Sequence, residues 1–186
     1  MRSILEQLQR DEEFFEDLFV LDYVLYYLST VAAPPSKREV DGGTEEKDFD
    51  HNEAIDDVLE LGDGLGFEVE KEVGIAPGAR VDAVWRTRIA NLGTISYAFE
   101  VHRRGSRDSA ILNLQKVLHQ DASIRKVVLV STASELDRFR SEIESLEETF
   151  RRSVGYLEMS ELLTALDHLD GLKDLLAGLG LLDQVV

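Results

Sequence analysis

The chain has 186 residues, of which 44% are hydrophobic, with no cysteine and a formal net charge of −17. That length and apolar content allow one domain with a sizeable core and an appended element, and the lack of cysteine excludes a disulfide framework, a thiolate metal site or a cysteine nucleophile. With 37 acidic residues against 20 basic ones, non-specific nucleic-acid binding is disfavoured, because neutralising phosphate needs Lys and Arg.

Residues 3–32 read as one long helix, or two joined near Glu16, with Ile4, Leu5, Leu8, Phe14, Phe15, Leu18, Phe19, Leu21, Val24, Leu25 and Leu28 at helical spacing. The stretch Phe14–Leu28 is apolar on more than one face, so it predicts packing against the body or a homodimer interface. Pro34 and Pro35 end this N-terminal element, 1–33, and residues 34–50 read as a flexible connector with Gly42-Gly43 at its middle.

Residues 51–186 form the α/β part. A helix is expected over 51–62, closed by Gly62 and Gly64. A strand follows over 66–74, where Phe67, Val69, Lys71 and Val73 alternate with Glu68, Glu70 and Glu72. After the Ala-Pro-Gly turn at 76–78, strands are expected over 79–87 and 94–102, then a helix over 108–119 with Asp108 as a candidate N-cap. Lys126–Val130 reads as a short buried strand. It is followed by a helix over 134–150, a strand over 154–158 and one or two leucine-rich helices to about 182, read as core or oligomer packing. The first three strands suit an antiparallel meander, and the later βαβ steps require parallel crossovers. The expected fold is therefore α/β, a central mixed sheet between helices.

The chemistry centres on two acids inside apolar strands. Asp82 lies between Val81 and Ala83-Val84-Trp85, and Glu100 lies between Phe99 and Val101. A carboxylate in such a setting is costly unless it is paired or bound to metal. Two neighbouring acids also raise each other's pKa unless a cation lies between them. Hard divalent ions are held by one or two carboxylates plus water and substrate phosphate, which points to Mg²⁺ or Mn²⁺ and to phosphodiester chemistry. His102 shares the face of Glu100 by period-two alternation, where an imidazole could act as a base or contact phosphate. Arg103, Arg104 and Arg107 form a basic knot beside these acids and suit phosphate contact. His51, His119 and His168 show no ligand spacing and read as surface residues.

An acid on the second strand and Glu-x-basic on the third, set between helices in this order, resemble the PD-(D/E)XK nuclease superfamily over about residues 51–158. The resemblance implies a three-layer α/β/α fold of restriction-endonuclease type, preceded here by the long N-terminal helix. It implies a Mg²⁺-dependent DNA endonuclease in which Asp82 and Glu100 hold the metal and an acid on the first helix, Glu53 or else Asp57, completes the site. His102 stands where the family has lysine. Gln115 or Lys116 would supply the contribution that some branches draw from the following helix, with Lys116 also facing nucleic acid. A rival reading is a catalytically silent nuclease-fold protein that binds nucleic acid or a protein partner. A third is a structural, oligomerising module. The acidic, lysine-poor composition fits a halophilic protein, since salt screens self-repulsion. No apolar run approaches the ~20 residues of a membrane span and the start carries no signal pattern, so a cytoplasmic protein with no membrane partner is expected.

Overall fold

The computed structural model describes residues 49–91 and 93–181. The expected helix at 1–33, its dimer interface and nearly all of the connector lie outside the described residues. Ten elements follow in order: α1 (His51–Gly64), β1 (Glu68–Ala76), β2 (Ala79–Ile89), β3 (Gly93–Val101), α2 (Arg107–Gln120), β4 (Ile124–Ser131), α3 (Ala133–Ile143), α4 (Glu148–Ser153), β5 (Val154–Glu158) and α5 (Met159–Gly178). The fold is α/β. One five-stranded sheet runs β1-β2-β3-β4-β5, antiparallel from β1 to β3 and parallel from β3 to β5.

Helices cover both faces of the sheet, an arrangement compatible with three α/β/α layers. On one side Ala54, Ile55, Val58 and Leu61 of α1 and Leu162 and Leu169 of α5 pack with Ala83, Trp85, Phe99, Val101 and Val130. On the other, Ala110, Ile111, Leu114 and Val117 of α2, with Leu136, Phe139 and Ile143 of α3, pack with Val84, Ala98, Val127 and Leu129. Trp85 anchors the first core. Its indole N–H donates to Val58 O at 3.0 Å and its ring lies 4.3 Å from that of Phe99. Gly62 permits this approach, because a Cβ there would sit 2.4 Å from Trp85 Nε1.

The alternation expected along β1 breaks at Glu72. Val69 packs in the core shared with α1, but Val73 packs in the core shared with α2. Glu72 has φ 56°, a left-handed backbone that reverses the side-chain phase. β2 changes phase at the same level: Ala79 and Val81 face one core, Ala83 and Trp85 the other. Asp82 sits at that crossing, which is how a carboxylate fits inside an apolar run.

Two local expectations are corrected. The N-cap of α2 is Ser106, whose side chain accepts from Ser109 N, and Asp108 lies inside the first turn. The helix expected over 134–150 is two helices separated by a turn at 144–147. The break is hidden because Leu136, Phe139, Ile143, Leu146 and Phe150 keep helical spacing through it. The C-terminal leucines form one helix, in which only Leu162 and Leu169 are buried and Leu163, Leu172 and Leu175 are exposed. Among the described residues no helix is long and apolar enough to cross a membrane.

Candidate functional site

The site lies where β2 and β3 part. Their ladder runs from Ile89–Gly93 to Ala83–Phe99. The next step in register sets Asp82 opposite Glu100. Instead of continuing, the strands fork, and Asp82 Oδ2 accepts the Val101 N–H at 2.7 Å. His51, the first residue of α1, places Nε2 3.6 Å from the same oxygen. Glu100 receives Asn113 Nδ2 of α2 at 3.4 Å.

The two acids burden each other. Burial, and then the charge of Asp82, push the Glu100 carboxyl up to about 8, against a small lowering by Asn113. Burial also raises Asp82, opposed by the Val101 amide and by His51. The pair therefore titrates as a unit. The proton resides on Glu100, because Asp82 has the N–H donor and the imidazole beside it.

His102 is nearly enclosed. Its ring meets Phe139 edge-on, with centroids 4.9 Å apart, and only 7% of the residue is exposed. Its backbone is fixed on both sides, N–H to Val130 O at 2.9 Å and C=O accepting from Ser131 Oγ. Burial lowers its pKa below the usual value. Glu135 is the strongest opposing charge, and Arg107 adds to the lowering. The imidazole is neutral at neutral pH. Phe139 and Asn113 both belong to the helices on one side of the sheet, so His102 and Glu100 share that side.

The helix acids do not join the pair. Glu53 is exposed and its backbone N–H is used by the cap, donating to Asp50 Oδ1. Asp57 is raised by burial and by Glu53, Glu60 and Asp56, all on its own helix, and neither Asp82 nor Glu100 acts on it. Ala54, Ile55 and Val58 define the sheet-facing stripe of α1. At 100° per residue, His51 falls within that stripe, Asp57 at its edge and Glu53 on the far side. His51 is a polar residue on the apolar stripe, and its side chain, 40% exposed as a surface histidine's would be, still reaches Asp82.

Asn113 shows the same logic. It lies at the edge of the stripe of Ala110, Ile111, Leu114 and Val117, which α2 turns to the sheet. Gln115 is half-buried and Lys116 exposed. The contact with Glu100 is made by Asn113 rather than by either of them. Arg107 is committed to α3, bonding Glu142 through Nε and Glu135 through Nη1. Arg103 acts on Asp50 at the cap of α1, and Arg104 is exposed.

Among the described residues, no group of three or more His, Asp or Glu side chains is arranged to hold a metal ion. The donor set of Asp82 and Glu100, with the Asn113 amide behind it, nevertheless suits one hard divalent cation. Mg²⁺ takes one or two carboxylates and completes its shell with water and phosphate oxygens. No family model, curated protein or solved structure matches the chain.

Proposed function

We propose that the protein has a restriction-endonuclease-like fold and hydrolyses phosphodiester bonds in DNA with a divalent cation, Mg²⁺ or Mn²⁺, held by Asp82 and Glu100. The observation that carries this reading is the opposition of two carboxylates at the fork of β2 and β3, one of them pushed up to about 8 by burial and by the other. Bound there, the ion would neutralise phosphate charge and make a water more acidic. The chain's own residues supply the rest. The Val101 amide and His51 hold one oxygen of Asp82 and so aim the other. Neutral His102, on the side of Glu100, offers a lone pair to take a proton from the attacking water. Arg103 and Arg104, which follow His102 directly in the sequence, are the candidates for phosphate contact.

The absence of a lysine at position 102 favours a second reading, a nuclease-fold protein that binds nucleic acid or a protein partner without cutting. Histidine is shorter than lysine and here carries no charge, so it stabilises developing negative charge less well. A plasmid-nicking assay with Mg²⁺ and with Mn²⁺, from low to molar salt, separates the two. Metal-dependent nicking abolished by Asp82→Asn supports the enzyme. No nicking by the parent, together with nicking by His102→Lys, gives first place to the binding protein.

A further inference from the structure

Beyond Asp82, no strand among the described residues pairs with β2 on its β3 side. The backbone N–H and C=O of Arg80, at an exposed stretch of β2, then have no partner in a strand on that side. One side chain takes both. Asn113 Oδ1 accepts from Arg80 N at 3.2 Å, and Asn113 Nδ2 donates to Arg80 O. A primary amide carries the donor and acceptor of a peptide group, so Asn113 substitutes for a strand at the open side of the fork. The same Nδ2 reaches Glu100 Oε2 at 3.4 Å. Asn113 thus touches both arms, the segment of β2 leading to Asp82 and the carboxylate on β3. No other standard side chain of this size offers a donor and an acceptor on two separate atoms of one planar group. Asp lacks the donor, and Leu lacks both.

We infer that Asn113 is the positioning residue of the acid pair, fixing Arg80 two residues before Asp82 and holding Glu100 across the fork through one amide. The inference takes the acid pair as the functional centre, as proposed above, but its geometry can be tested without activity. Amide hydrogen exchange in the full chain reads the fork directly. In the parent, the Arg80 and Val101 amides exchange slowly although neither is bonded to a neighbouring strand's backbone. In Asn113→Ala, both exchange faster while the amides of Val127 and Leu129 in β4 keep their protection. Mn²⁺ affinity, read by titration calorimetry, falls roughly 10–100-fold, the usual effect of losing a group that orients metal ligands. Faster exchange at Arg80 alone, with Val101 and Mn²⁺ affinity unchanged, would reduce Asn113 to a local cap and overturn the inference. If the parent binds no Mn²⁺ yet Val101 loosens in the variant, the metal reading fails and the positioning role stands. Should Asn113→Ala not fold, Asn113→Ser, which keeps one hydroxyl for Arg80, gives the same two readouts with the same deciding outcomes.

Discussion

Replacing Glu100 by Gln isolates the electrostatic burden of the acid pair. The Glu100 carboxyl titrates at about 8 in the folded chain, against an ordinary 4.5. A folded-state pKa raised above the unfolded value means that the folded state binds the proton more tightly. The stabilisation from that proton is complete below about 4.5 and is lost as pH rises through about 8. The difference between the two values, at 1.36 kcal/mol per unit, sets a ceiling of about 5 kcal/mol. Relaxation and water entry at the half-buried carboxylate reduce this to roughly 2–4 kcal/mol. Gln keeps the shape and cannot ionise. Glu100→Gln is therefore expected to match the parent at pH 5 and to exceed its stability at pH 9 by that amount. Urea unfolding at fixed salt, with a chelator present, measures it. Adding Mn²⁺ at pH 8 should stabilise the parent and leave the variant unchanged. A stability difference that is the same at pH 5 and pH 9 would refute the reasoning, because burial and the charge of Asp82 would then not raise the Glu100 carboxyl in the folded chain.

Other expectations follow from the same geometry. Cation binding must displace the proton on Glu100, so apparent Mn²⁺ affinity should rise about tenfold per pH unit below about 8 and level off above it; calorimetry in buffers of different ionisation enthalpy counts the released proton, and a flat profile contradicts it. His102→Ala should slow cleavage on the order of 10²-fold. Because burial keeps the imidazole neutral, the variant should not shift the pH at which activity rises between pH 7 and 9, and a shifted pH–rate profile would show that His102 titrates there. Arg107→Ala should lower the urea midpoint, because Glu142, whose Oε2 has no hydrogen-bond partner among the described residues, then loses the guanidinium on Oε1 as well. The same variant should leave the salt dependence of DNA binding unaltered, and a slope reduced by about one would return Arg107 to the phosphate contacts.

The order of elements is legible in the sequence because apolar period and Gly/Pro punctuation mark each one: Pro77-Gly78 closes the β1–β2 hairpin, and the unbroken run from Val127 to Val130 lies inside the sheet. The acids Asp82 and Glu100 stand out as charges inside apolar strands. What escapes is three-dimensional detail that no single period encodes. The phase reversal at Glu72 and Asp82 depends on one left-handed residue that is not glycine. The turn at 144–147 is masked by leucine and phenylalanine positions that stay in helical step across it. Glu53 is an acid on the expected helix but away from its buried stripe. Asp57 and Asn113 hold equivalent places at the edges of such stripes, so helical phase alone does not separate them, yet it is Asn113, with His51, that meets the site. Arg107 reads as a phosphate contact because the sequence around it is basic, yet its partners Glu135 and Glu142 lie on α3, remote in sequence and adjacent in the fold.

The central claim is that Asp82 and Glu100 together bind one divalent cation. Anomalous diffraction at the manganese edge, on crystals grown with Mn²⁺, locates the ion directly. The account predicts a single strong peak between the two carboxylates, with an oxygen of each within about 2.1–2.3 Å, lost in Asp82→Asn crystals. Fully occupied Mn²⁺ at other acidic residues, with none between Asp82 and Glu100 at pH 8 or above, would contradict it.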